Sequence, residues 1–167
     1  MIRVGVRAIG ACGALVWSAL LAGCAADEIE TVDGGLGYAI EFPSKQAAIA
    51  TESLKVYVFD AEQDCATLMQ SRRAGGVMPT ALAETVAAPL CDYVSGAAGL
   101  EIELEPNDYV VFAVAERENV DMLVGCAKQR IDATTERTPV VMTLADETRP
   151  IPTTSCALVA DKCGGRC

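Results

Sequence analysis

Histidine is absent from all 167 residues, and that absence restricts what the chain can catalyse. Ser-His-Asp and Cys-His nucleophile pairs need an imidazole that titrates near neutrality, and histidine metal sites need the same ring. Ser-Lys and carboxylate-pair chemistry stay open in principle, yet no Ser-x-x-Lys occurs. No phosphate-cradling loop is present either, because Gly34, Gly35 and Gly37 precede a convincing strand instead of following one. Glu101 and Glu103 come nearest to an acid and base pair. Alternation along Leu100-Glu101-Ile102-Glu103-Leu104-Glu105 puts both on the exposed side of a strand, where nothing would separate their pKa values, so they read as a solvated face. One group could hold a cation. Asp60-Ala61-Glu62-Gln63-Asp64 sets three acids at alternate positions just past a strand, and oxygen ligands so spaced suit weak calcium binding in an extracellular module. The loop departs from the EF-hand pattern, with Cys65 where glycine is needed and Ser71 where the closing glutamate belongs. A solvated acidic loop is the competing reading for Asp60, Glu62 and Asp64.

The remaining reactive side chains are cysteines, and how many are free to pair depends on how the chain begins. Arg3 and Arg7 precede an apolar run from Ala8 to Leu21, which ends in Ala22-Gly23-Cys24. A positive start, an apolar middle and small residues before a cut are the order of a secretory signal. Leu21-Ala22-Gly23-Cys24 resembles the lipobox of bacterial lipoprotein signal peptides. The resemblance implies that the Cys24 thiol takes a diacylglyceryl group, that cleavage falls just before it, and that the new amine is acylated. Ala25 follows, in place of the aspartate that commonly retains Gram-negative lipoproteins at the inner membrane, so the resemblance implies the outer membrane. The competing readings are an uncleaved membrane anchor and a soluble secreted chain, but the apolar run is shorter than the roughly 20 residues a span needs.

Cleavage would remove Cys12 and leave Cys65, Cys91, Cys126, Cys156, Cys163 and Cys167 beside the lipidated Cys24. An even number in an exported chain predicts disulfides, whose connectivity sequence alone cannot choose. We expect Cys65 to pair with Cys91 or Cys126, and at least one bond to close the tail from Cys156 to Cys167. A Cys-only zinc site or a redox pair is the rival. Against it, Cys163-Gly-Gly-Arg-Cys167 lacks the two-residue spacing of a thioredoxin-type motif, and zinc needs thiolates that an oxidising compartment removes. The same cleavage would take two of 13 basic residues and none of 23 acidic ones, leaving 11 − 23 = −12. Such a surface argues against nucleic acid and against adhesion to anionic lipid, both of which need Lys and Arg.

The elements that carry these residues divide the chain into a signal at 1–23, a flexible acidic tether at 24–37 and one disulfide-linked domain at 38–167. A first strand is expected near Tyr38 to Phe42. Ser53 to Phe59 alternates, with Leu54, Val56 and Val58 on one face and Lys55, Tyr57 and Phe59 on the other. Asp64 is placed to cap a short helix through Arg73 with Cys65, Leu68 and Met69 on one face, stopped by Gly75-Gly76. Thr80 to Ala88 admits either a helical turn or an irregular strand before Pro89. After Leu100–Glu105, the turn chemistry of Pro106-Asn107-Asp108 leads to a buried apolar strand at Tyr109 to Ala115. Further strands are expected at Met122 to Ala127, Lys128 to Ala133, Pro139 to Leu144 and Cys156 to Ala160. The pattern predicts an all-β fold, an antiparallel β-sandwich with a short helical insertion.

Leu104-Glu105-Pro106-Asn107-Asp108-Tyr109-Val110-Val111, behind an alternating strand, is similar to the hairpin of prealbumin-like sandwiches, which include carboxypeptidase-regulatory and collagen-adhesin B-type repeats. It differs in having Asn107 for the usual glycine, and asparagine best tolerates a left-handed backbone. The resemblance implies a stalk, spacer or binding module and brings no catalytic residue. The expectation is a lipid-anchored envelope protein without a cofactor, non-enzymatic, that binds or positions another macromolecule. The alternative is an extracytoplasmic module for a small ligand or calcium.

Overall fold

The computed structural model describes residues 30–33, 38–98, 104–131 and 139–167. Cys24, the signal segment, Gly34, Gly35 and Gly37, the strand expected over 100–103 with Glu101 and Glu103, and residues 132–133 lie outside the described residues. The elements run β1 (Glu30–Asp33), β2 (Ala39–Phe42), α1 (Lys45–Ala50), β3 (Ser53–Asp60), α2 (Cys65–Arg73), β4 (Ala83–Glu84), β5 (Ala88–Pro89), α3 (Leu90–Ser95), β6 (Asn107–Arg117), β7 (Val120–Ile131), β8 (Pro139–Leu144) and α4 (Val159–Cys163).

The apolar run Tyr109 to Ala115 lies in β6, between β3 and β7 and antiparallel to both. Strand side chains alternate between faces, so an unbroken apolar run must be covered on both sides. Tyr109, Val111, Ala113 and Ala115 join Leu54, Val56 and Val58 in one core, to which α1, α3 and α4 bring Ile49, Leu90, Tyr93 and Val159. Val110, Phe112 and Val114 join Phe59 and Val124 in a second core beneath Leu68 of α2. The strand order is β1-β2-β8-β7-β6-β3-β4, with β5 also paired to β3. Helix α3 packs against both β1 and β5, at opposite ends of that order, so the sheet curls around the larger core.

The expected all-β, antiparallel sandwich is met, among the described residues, as a mostly β fold with four short helices, and its sheet is mixed. Strands β2 and β8 run parallel. A parallel pair joins segments far apart in the chain and has no local turn to announce it. Over Tyr109–Ala115, where a hairpin with 100–105 was expected, β3 and β7 occupy both edges of β6, and Asn107 and Asp108 already belong to the strand. Part of the expected tether is sheet: Thr31 and Val32 pair with Glu41 and Ile40, and Val32 is buried. The two strands expected over 122–133 form the single β7. No strand forms over Cys156–Ala160, where Leu158 instead leads into α4. Strands β3 and β8, and α2 with its Asp64 cap, fall where expected.

Three disulfides fasten the covering helices. Cys65–Cys126 ties α2 to β7, Cys91–Cys163 ties α3 to α4, and Cys156–Cys167 closes the tail. The first and third agree with the expected pairs; the second joins residues 72 apart in sequence. Lys162 adds a polar clamp, its Nζ donating to the carbonyls of Ile49, at 2.8 Å, and Thr51, at the end of α1.

Strand β8 approaches β7 closely at Gly125. A Cβ there would lie 2.7 Å from the Val141 carbonyl oxygen and 3.0 Å from Val140 Cγ1, and a backbone atom cannot swing aside as a side chain can. Gly125→Ala should therefore lower stability by about 1–3 kcal/mol in a urea melt under oxidising conditions. An unchanged midpoint would show that the two strands do not meet at this distance.

Candidate functional site

The acidic loop is the first place to look for a ligand. Asp60 Oδ1 accepts from the Glu62 amide at 3.0 Å, a local turn bond. Asp64 caps α2, its Oδ2 accepting from the amide and hydroxyl of Thr67 at 2.8 and 2.9 Å. These two bonds, the amide first, hold its carboxyl below the usual value of 3.8. Glu62 is exposed on the turn. Among the described residues no group of three or more His, Cys, Asp or Glu side chains converges to hold a metal ion. A turn bond and a helix cap engage Asp60 and Asp64 separately, and the calcium expectation for Asp60, Glu62 and Asp64 draws no support from this arrangement. The six cysteines expected to pair do so, leaving none of them as the thiolate a zinc or redox centre would use.

Polar groups do converge at the opposite end of the sheet, around the β6–β7 turn. Arg117 pairs with Val120 across Glu118 and Asn119, whose φ values of 53° and 60° define a two-residue turn of the primed type that matches strand twist. The register shifts at Ala115 and Glu116, so Met122 is the extra residue of a bulge, which sharpens the local bend. The bulge delivers Asp121 to α2. Arg72 grips it as a fork, Nε to Oδ2 at 2.6 Å and Nη2 to Oδ1 at 2.8 Å, with Glu116 at 3.9 Å, and the fork raises the affinity of Arg72 for its proton.

Beside the turn, the loop after β8 is shaped by Asp146. Its Oδ1 accepts from the Thr148 hydroxyl at 2.6 Å and amide at 2.9 Å, which hold the carboxyl below 3.8, and its Oδ2 lies 3.4 Å from Arg149 Nε. Between turn and loop lies a cleft of about 220 Å³ lined by Arg117, Glu118, Asp121, Asp146 and Arg149, with Val120, Met122, Pro150 and Pro152 as its apolar wall. Arg117 is its loosest cation, 3.9 Å from a Glu118 oxygen and 3.5 Å from the Ala50 carbonyl. A carboxyl kept ionised, as Asp146 is, can orient a cation but makes a poor general acid at neutral pH. The cleft is built to hold opposite charges side by side. Sequence reasoning missed it, although Glu118-Asn119 between two apolar strands was a usable turn signal.

Compared with protein-family models, curated proteins and solved structures, the chain matches none.

Two predictions follow from this geometry. The depressed Asp64 carboxyl contributes stability that is full above its unfolded value near 3.8 and is lost as pH falls through its lower folded value. Asp64→Ala should flatten the acid limb of a stability profile, and a mutant that keeps the parent slope below pH 4 would exclude the cap. Asp121→Ala should cost roughly 1 kcal/mol, as a partly exposed pair does, and should add nothing in an Arg72→Ala background. Additive losses in that cycle would mean that the fork is not the interaction.

Proposed function

We propose that the chain is a lipid-anchored protein of the cell envelope, held at the outer membrane through acylated Cys24, whose domain binds or positions another macromolecule without catalysis. The observation that carries the reading is Leu21-Ala22-Gly23-Cys24 at the end of an apolar run that follows two arginines. The cysteines support it independently, since the six that would follow Cys24 in the mature chain pair off completely, as suits an oxidising compartment. Among the described residues no helix is long and apolar enough to cross a membrane; an acyl anchor requires none. The lack of histidine and the Asp146 carboxyl, held below its usual value by Thr148, support a binding role over a catalytic one. A sheet curled about one core, with helices closing the gap, supports a sandwich-like reading of the domain. The cleft favours a second reading, capture of a small molecule that carries both charge signs.

The test is intact mass from a bacterial host, before and after reduction and alkylation. The expected result is loss of residues 1–23, acyl mass on Cys24, and six thiols that react only after reduction. An uncleaved or unacylated chain would overturn the proposal.

A further inference from the structure

We infer that the β6–β7 turn end of the sheet, with its cleft, is the surface that the domain presents to the lipid headgroups. The inference rests on the acyl anchor proposed above and adds an orientation to it. Only six residue steps separate Cys24 from Glu30, and six steps reach at most about 20 Å. The domain is therefore held close to the bilayer, and the direction of β1 decides which end is near.

Strand β8 is antiparallel to β7 and so runs with β6 toward the turn, β2 is parallel to β8, and β1 is antiparallel to β2. The N-terminal end of β1 accordingly points toward the β6–β7 turn. Thr31 is level with Glu41 and Val141, one residue from the rung formed by Met142, Gly125 and Ala113, which sets Glu30 at about the height of Ala113. From Ala113 to the turn at Arg117 is about 13 Å, and to the opposite end at Asn107 about 20 Å, taking about 3.3 Å per strand residue. A bilayer on the turn side lies within the tether's reach with length to spare. A bilayer on the other side would consume the whole tether and also require the chain to reverse beyond Glu30.

The chemistry of this end fits a headgroup layer that carries both signs. Arg117 and Arg149 can meet phosphate, the neighbouring acids can meet an amine, and Val120 is 46 % exposed at the rim. The Asp60–Asp64 loop, at the far end of β3, would then point away from the membrane.

The mature chain would contain no tryptophan, because Trp17 is the only one in the sequence and leaves with the signal. Single reporters are therefore unambiguous. Lipidated Val120→Trp, Glu147→Trp and Glu62→Trp proteins would be placed in phosphatidylethanolamine and phosphatidylglycerol vesicles containing lipid with a nitroxide on the headgroup. The expected result is loss of fluorescence at positions 120 and 147 and none at 62. Equal loss at all three, which a broadside orientation gives, or greater loss at 62 would overturn the inference. Glu147→Trp, exposed on the loop beside the cleft and outside its lining, keeps the test intact if Val120→Trp does not fold. Intact mass separates the two claims: acylated protein with the wrong quenching pattern refutes the orientation alone, and unacylated protein refutes the anchor with it.

Discussion

The structure depends on one requirement, that an unbroken apolar run within a strand be dry on both faces. Seven consecutive residues of β6, Tyr109 to Ala115, are buried. No single layer can satisfy them. Each large side chain contributes about 1.5–3 kcal/mol when fully buried, so leaving either face wet would remove much of what holds a domain of this size. The helices answer that requirement. Yet α1, α3 and α4 have only five or six residues, far too few to persist in water by themselves. They hold by packing and by cross-links. Closing the 61- and 72-residue separations limits the unfolded chain by about 4 kcal/mol each in the loop-entropy account, and the short tail loop by about 3. The disulfides fasten the covers that β6 needs, Cys65–Cys126 on the side of the smaller core and Cys91–Cys163 and Cys156–Cys167 on the side of the larger.

Polar groups inside the larger core are handled with the same economy. Thr85 is buried beside β4, where its hydroxyl oxygen accepts from the Val56 amide at 2.9 Å and the Tyr93 hydroxyl at 2.8 Å, while its own amide donates to the Val56 carbonyl. One threonine thereby satisfies a ladder position that β4 is too short to fill and fixes α3 through Tyr93. Burial raises the Tyr93 phenol above its usual value, with the Thr85 bond opposing. On the outer surface of the same sheet Lys55 lies 3.2 Å from Glu84 and 4.7 Å from the Tyr57 ring centre. Opposite charge and ring outweigh partial burial there, and Lys55 holds its proton more tightly than a free lysine.

What could be read from sequence was whatever local rules decide. Alternation identified β3 and its two faces, a capping aspartate with a glycine stop identified α2, and an unbroken apolar run identified β6. The closing of the tail by Cys156–Cys167 was expected, whereas sequence leaves the partner of Cys65 open between Cys91 and Cys126, and it is Cys126. The parallel contact of β2 with β8 was not legible, since it depends on chain segments that meet only in the folded state. Helix α1 was hidden for another reason: Ala47, Ala48 and Ala50 make no amphipathic stripe, and only the N-cap bond from the Ala47 amide to Ser44 Oγ marks its start. The cleft escaped notice because its charges come from two separate segments, the β6–β7 turn and the loop after β8, each ordinary surface until the fold sets them side by side. At Asp60 and Asp64 the alternate spacing that suggested a chelating loop coincides with local hydrogen bonds, a turn bond and a helix cap.

Anchor and surface charge act on the proposed membrane attachment in opposite directions, and their magnitudes decide the balance. A mature domain of charge 11 − 23 = −12 is repelled by an anionic surface, at about 1 kcal/mol for each charge brought right to it, falling away within a Debye length of about 8 Å. Acyl chains contribute about 0.8 kcal/mol per buried methylene, on the order of 20 kcal/mol for a pair. An acyl anchor of that strength would prevail, so charge would not determine whether the protein stays bound. It would determine distance. A tether that reaches about 20 Å, about 13 Å of it spent passing the strand ends, would leave the turn end, where Arg117 and Arg149 temper the acids, nearest the bilayer and the rest of the acidic body beyond the repulsive layer. A shorter tether would press the acidic faces into that layer, and one several times longer would release the orientation that β1 imposes.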